Sequence, residues 1–364
     1  MRWLKMAAIS VGVWACAWAW GCVPEAGQGV PASGPAGRTE WKLPDDLEAR
    51  GVDVSADRRW AVVWGELGEG QPEGKARTAV CYLVDLQAGQ RTDVLGQVLR
   101  REDPRIAPEE ASFSPDGTHL AVLVQVGREA YFRNKDQGGH RALVGLVDLK
   151  TLGVVRIISD DRKCFLWVGN APVLSTAWES SESSERYNLL GYFEPEDLLE
   201  MVVLASDRTG TKLLAWTHRP RAQTVPADDK YESVFGLADG QGKILRELPR
   251  PACPAVSCRL SPRGRFCTIF SGHLHLDVIS LETGGIVTIP DADWECEPLA
   301  VTDTGEGIMI RRAGTDDAIE YWSSQGKRKV IVPYKTVATI AGEEVFFVEY
   351  REEGCALKAI PLPR

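Results

Sequence analysis

The chain has 364 residues, with 42 Lys and Arg against 51 Asp and Glu, for a formal net charge of −9. An acidic chain without a long basic run lacks the clustered positive charge that phosphate contacts require, so nucleic acid is excluded as a partner class. The one short basic stretch, Lys327-Arg328-Lys329, reads as a solvated turn. Apolar content of 44% is ordinary for a globular protein, and no second composition regime appears along the chain.

The N-terminus opens with Met1-Arg2-Trp3-Leu4-Lys5, a basic segment, followed by residues 6–20, which are apolar and uncharged. That run is too short for a membrane-spanning helix, and a small residue, Gly21, precedes Cys22. The pattern resembles the bacterial lipoprotein signal, in which the thiol of the first mature residue, here Cys22, carries a diacylglycerol. An ordinary secretory signal cleaved near the same place and a short N-terminal anchor are the alternatives. Residues 23–37 are dominated by Gly, Pro and Ala with no hydrophobic period, the composition of a flexible tether. The expected boundaries are therefore 1–21 for the signal, 22–38 for the tether and 39–364 for the folded domain. Val23 stands where the resemblance would place Asp for inner-membrane retention, which points to the outer membrane.

From there the chain repeats. A small polar turn followed by an apolar strand occurs at Ser55-Ala56-Asp57, Ser114-Pro115-Asp116-Gly117, Ser261-Pro262-Arg263-Gly264 and Thr302-Asp303-Thr304-Gly305, with looser copies at Asp207-Arg208-Thr209-Gly210 and Ala341-Gly342. Downstream of each lies a strand ending in a polar residue and a Gly turn, as in Asp85-Leu86-Gln87-Ala88-Gly89, Asp148 to Gly153 and Ser280-Leu281-Glu282-Thr283-Gly284. Asp, Ser and Thr bond back to nearby backbone, and Gly takes the positive φ of the turn. The runs between are rich in Val, Ile, Leu and Phe and too short for helices. About four antiparallel strands in roughly 45 residues is the period of a propeller blade.

The expected blades run over residues 54–94, 111–158, an irregular third through 165–168, 172–174 and 188–192, then 202–248, 256–289 and 299–332. The last copy offers only three strands, 337–340, 345–348 and 356–360. Its outer strand is expected from the free Glu40-Trp41-Lys42-Leu43 segment, closing the ring with both chain ends. The fold class is thus all-β, a single β-propeller of about seven four-stranded blades, with six as the alternative if blade three is degenerate. The Ser-Pro-Asp-Gly turn and the Asp-x-x-x-Gly hairpin resemble the TolB-type propellers, and more loosely the WD-repeat-like ones, whose Gly-His and Trp-Asp pairs are absent. That resemblance implies the fold and leaves function open.

Candidate sites follow from loop length. The second-to-third-strand hairpins 127–141, 179–187 and 219–231 are long in three successive blades and would emerge on one face. Tyr131, Arg133, His140, Trp178, Arg219, Asp229 and Tyr231 on them combine charge of both signs with aromatic anchors, as a protein or polar ligand surface needs. His273 and His275, two apart on a strand, would share a face and could hold a metal with Asp293, or stand as a solvated strand end. Of nine cysteines, Cys16 would leave with the signal. With Cys22 lipidated, seven remain in the domain, so at least one is a free thiol. Cys253 and Cys258 are the disulfide candidates by proximity, unless Cys258 points into a blade, while Cys81 and Cys267 lie in apolar strands as small buried hydrophobes. No G-x-S-x-G elbow is present and no space follows the propeller for a hydrolase domain.

The expected function is a non-enzymatic binding or scaffold propeller, without cofactor, lipid-anchored in a bacterial envelope on the periplasmic or surface side. Its partners would be an envelope protein or an extracellular ligand, with the membrane reached only through the lipid. The alternative is a metal-dependent propeller hydrolase, lactonase-like or glycoside-processing, working in the central channel.

Overall fold

Each repeat is set by the turn that starts it. Ser114 Oγ donates to Asp116 Oδ1 at 2.7 Å and accepts from His119 N at 2.9 Å, while Gly117 takes φ +68°. The same atoms close the first copy: Ser55 Oγ donates to Asp57 Oδ1 at 2.6 Å and accepts from Trp60 N at 2.9 Å. Ser261 Oγ accepts from Arg265 N and Phe266 N at 2.9 and 3.0 Å. In the looser copy Asp207 replaces the hydroxyl and accepts from Thr211 N and Lys212 N at 2.8 and 3.0 Å. One buried acceptor thus satisfies the amides that begin the next strand. The downstream hairpin works likewise: Asp85 Oδ1 accepts from Gln87 N and Ala88 N at 2.9 and 2.8 Å, with Gly89 at φ +72°. In blade two the left-handed position falls on Leu152, at φ +55°, not on the expected Gly153. Leu152 holds the register because its side chain packs against the apolar cluster between blades one and two.

The computed structural model describes residues 39–68, 78–95, 106–126, 141–160, 164–168, 171–175, 202–220, 231–239, 243–249, 257–270, 276–290, 296–311, 317–334, 336–352 and 354–363. Among them are six four-stranded antiparallel sheets and one two-stranded sheet. Five of the four-stranded sheets follow chain order, over residues 47–93, 106–160, 202–247, 257–289 and 296–332. The sixth runs Glu40–Lys42, Gly354–Pro361, Glu344–Arg351, Ala338–Ala341, so the N-terminal strand is its outer edge, as expected. The pairing is Glu40 with Lys358, Trp41 with Leu357 and Lys42 with Ala356. The hairpin of Cys164–Val168 and Ala171–Ser175 stands in the place of blade three. Residues 188–192, expected to continue it, lie outside the described residues, so the complete blades described number six.

The first strand of each blade lies innermost. Leu47–Val54 touches both Ile106–Phe113 of the next blade and Ala338–Ala341 of the last, while Ser257–Leu260 lies between Val202–Ser206 and Cys296–Val301. The core is accordingly not one mass but a series of slabs between blades. Trp41, Phe346 and Leu357 pack with Val54, Val63 and Val84. Val62 and Leu83 pack with Phe113 and Leu120, Phe235 with Ile269 and Ile279, Phe270 with Met309 and Trp322, and Ile308 and Tyr321 with Val345 and Phe347. Trp167 reaches back to Leu123 and Val144. A single twisted sheet could not cover both its faces; neighbours on either side do.

Three sequence expectations are corrected. Blade one begins at Leu47 rather than Val54, and blade two at Ile106 rather than Ala111. Each missed segment carries charges and a β-bulge, between Ala49 and Gly51 and between Pro108 and Glu110, which break the alternation that marks a strand. Arg328 is not a solvated turn residue. Its Nε donates to the buried Glu320 at 2.7 Å and its Nη1 to Pro290 O at 3.0 Å, joining blades five and six, and Arg311 pairs with Glu320 from the other side at 2.8 Å.

Candidate functional site

Because consecutive strands alternate in direction, the ring has two unlike ends. At one end lie the first-to-second-strand turns, bonded to one another across blades: Arg208 N donates to Pro262 O at 3.0 Å, Arg263 N to Asp303 Oδ1 at 2.9 Å, and Lys212 Nζ to Arg263 O at 3.0 Å. Arg58 pairs with Glu344 across the first and last blades. At the other end the second strands finish and the third begin, at the paired positions Val126 and Arg141, Pro220 and Tyr231, Phe270 and Leu276, and Arg311 and Ala318. In the last blade the same hairpin needs only Arg351 to Gly354.

Of the predicted binding residues, Arg219 and Tyr231 lie in strands at this second end, Arg219 opposite Glu232 and Tyr231 opposite Pro220. Tyr131, Arg133, His140, Trp178 and Asp229 lie outside the described residues, as do the metal candidates His273, His275 and Asp293, the disulfide candidate Cys253 and the lipidation candidate Cys22. Cys258 carries a free buried thiol in the slab between blades four and five, beside Cys267. Burial pushes the Cys258 thiol up to about 12, so it behaves as a small apolar side chain. Cys81 and Cys267 are buried free thiols too, as their apolar strands predict.

Sequence reasoning missed the charges that the innermost strands carry to the middle of the ring. Asp53 is committed to structure: its Oδ1 accepts from Val54 N at 2.8 Å and its Oδ2 from Phe113 N of blade two at 3.1 Å. Glu110, in blade two, follows the bulge at Pro108–Glu110, and the bulged residue is pinned because Trp64 Nε1 of blade one donates to Glu109 O at 3.0 Å. Arg259, in blade five, donates from Nε to Leu299 O at 3.3 Å and from Nη1 to Cys258 O at 3.0 Å. Desolvation pushes the Glu110 carboxyl up to about 7; the Arg259 guanidinium pulls it down, and Asp53 and Glu109 push it further up. For Asp53 and Arg259 the signal that would have found them is the repeat register itself. Asp53 and Arg259 occupy the same place, two residues before the turn serines Ser55 and Ser261.

A carboxyl with a raised pKa has a defined signature. The folded protein keeps a proton on Glu110 that the unfolded chain releases above about pH 4.5, so its contribution is full below that pH and declines as pH rises toward about 7. The Glu110→Gln protein is expected to lack this decline. Denaturant melts of both proteins across that window should diverge by about 1–3 kcal/mol, one pKa unit being about 1.4 kcal/mol before screening. Parallel profiles would show that the carboxyl is not desolvated.

No family model and no curated protein matches the sequence. Solved structures do match in fold. A chain of the mitotic checkpoint complex aligns at 14% identity over 90% of this chain and 94% of its own, with a TM-score of 0.51. An acylaminoacyl peptidase from Pyrococcus horikoshii aligns at 15% identity over 82% of this chain, which spans 50% of that enzyme, with a TM-score of 0.50. TolB from Acinetobacter baumannii is also similar, at 12% identity over 78% of this chain and 60% of its own, with a TM-score of 0.36. At these identities the first two similarities establish the β-propeller architecture and nothing finer.

Proposed function

We propose that this protein is a non-enzymatic binding propeller of the bacterial envelope, held by a lipid on Cys22 and a Gly/Pro-rich tether, that captures a protein partner on the hairpin end of its ring. The observation that carries this reading is the contrast between the two ends. One is sealed by tight turns bonded to their neighbours, whereas at the other the chain leaves at Val126 and Pro220 and returns only at Arg141 and Tyr231. Extended hairpins on a rigid scaffold are where binding residues concentrate. Support for the anchor comes from the residues alone: the basic start, the uncharged run 6–20 and the small residue before Cys22. Acyl chains supply membrane affinity that an acidic domain does not have.

The test has two arms. Cys22→Ala is expected to release the protein from sedimented membranes; retention would remove the lipid anchor from the reading. Replacing residues 127–140 and 221–230 by short Gly-containing turns is expected to abolish partner recovery in an affinity pull-down from solubilised envelope. Unchanged recovery by a still-folded protein would place the partner surface elsewhere.

A further inference from the structure

Every blade of the ring leaves one open sheet edge, along its outermost strand, and proteins blunt such edges with charge, proline or bulges. Five of the six four-stranded blades described do so. Glu40–Lys42 and Arg91–Asp93 are three residues long and charged at both ends. Val154–Asp160, Ile244–Glu247 and Arg328–Val332 carry charges, and each meets its neighbour through a register shift. Ile286–Ile289, in blade five, has no charge, no proline and no register shift against Leu276–Ser280. Ile286 is 47% and Val287 36% exposed. The carboxylate behind them, Asp277, already accepts from Thr288 Oγ1 at 2.7 Å.

The backbone of this edge is also uncommitted. Ser280 N donates to Gly285 O at 2.8 Å, and hydrogen-bonded and open pairs alternate along an antiparallel ladder. Val287 and Val278 therefore form a hydrogen-bonded pair, and the N–H and C=O groups of Ile286 and Thr288 point out of the blade. Among the described residues none answers them. The edge ends at Pro290, which has no N–H and whose carbonyl accepts from Arg328 Nη1 at 3.0 Å. We propose that this edge pairs antiparallel with the same edge of a second copy of the chain, about a two-fold axis through Val287. The register that uses every outward group sets Ile286 of each copy opposite Thr288 of the other, with Val287 facing Val287 between them. Neutrality suits the strand to self-pairing, because no like charges are brought together. The flanks are complementary too. A Cβ on Gly326 would lie 3.5 Å from Thr288 O and 3.7 Å from Pro290 Cδ, which places the exposed Lys327 near the C-terminal end of the edge. The exposed Glu282 stands in the turn before its N-terminal end, so antiparallel pairing brings Glu282 of each copy toward Lys327 of the other. Four residues bury well under the roughly 1,200–2,000 Å² of a stable interface, so the dimer is weak, reversible and driven by local concentration. It uses the outer wall of the ring and not the hairpin end, so the two readings fail separately.

The experiment is sedimentation equilibrium of the full-length protein in density-matched detergent, up to about 100 μM, beside Ile286→Pro and Val287→Lys. The parent is expected to show a concentration-dependent monomer–dimer equilibrium. Ile286→Pro removes an outward N–H and spares the ladder within the blade, and Val287→Lys sets two ammonium groups on the axis; each should weaken the dimer at least about tenfold. Register is read by cross-linking with diamide, which accepts the two electrons that a thiol pair gives up. Val287→Cys should yield a disulfide-linked dimer, since facing residues of an open pair stand within disulfide reach. Ile286→Cys, set opposite Thr288, should yield no more than the parent. Thermal melts check that each variant is folded. A parent that stays monomeric, a dimer unchanged in folded Ile286→Pro and Val287→Lys, or equal cross-linking at 286 and 287 overturns the proposal. An envelope protein recovered by a monomeric parent and lost with Ile286→Pro would assign the edge to a foreign strand, and overturns it as well. The loop-shortened protein should dimerise as the parent does, whatever becomes of its partner.

Discussion

Replacing Trp41 by Ala is expected to destabilise the domain by about 3–5 kcal/mol, enough to leave a marginally stable protein largely unfolded at physiological temperature. Trp41 sits in a strand of only three residues, yet it is buried, its ring stacks on Phe346 at 6.1 Å between centroids, and its Nε1 donates to Leu86 O of blade one at 3.0 Å. Truncation opens a cavity in the slab between the last and first blades and orphans a buried carbonyl. The ion pairs that also hold this strand, between Arg351 and Glu40 at 3.0 Å, are about half exposed and contribute little. Glu40→Gln should therefore shift a denaturant midpoint only slightly, while Trp41→Ala shifts it strongly. Comparable shifts would mean that charge, and not packing, closes the ring.

Gly307→Ala is expected to cost about 3 kcal/mol or more, although it adds one methyl group. Gly307 pairs across the sheet with Trp322, a fully buried side chain whose Nε1 donates to Gly305 O at 3.1 Å. A Cβ at 307 would overlap both the indole ring and the backbone carbonyl of Ala300, and neither has room to retreat. Gly117→Ala is the control. Its φ of +68° carries a strain of about 1 kcal/mol for a side chain, but a Cβ there meets nothing within 4 Å. Thermal unfolding of the two variants side by side checks the ordering; equal losses would show that backbone conformation, and not the overlap, governs both sites.

What could be read in the sequence was what local chemistry decides. Ser114, Asp116 and Gly117 close their turn with their own atoms, and a blade's second strand must follow, so the repeat announces itself without knowledge of the ring. The outer position of Glu40–Lys42 was legible by subtraction, since the last copy is one strand short. The innermost strands were harder: Arg50-Gly51 and Glu109-Glu110 look like loop residues because bulges spoil their alternation. The electrostatic influence of Arg259 on Glu110 was out of reach for a different reason. It is made by closing the ring, between strands three blades apart, and no spacing within either segment encodes it. Leu152 shows a third kind of limit, since tertiary packing places a branched side chain in the left-handed region while Gly153 stands next to it.

The strand Glu40–Lys42 has a consequence in time. It leaves the ribosome long before its sheet partner among the described residues, Gly354–Pro361. Until residues 344–361 are made, Trp41 has neither Leu357 beside it nor Phe346 to stack on, and this sheet keeps an open edge. A product cut short by even its terminal strand would display an unpaired edge and a stranded tryptophan, the features that holdases and proteases recognise. The seam thereby makes closure of the ring wait for Gly354–Pro361, some three hundred residues downstream of the strand it completes.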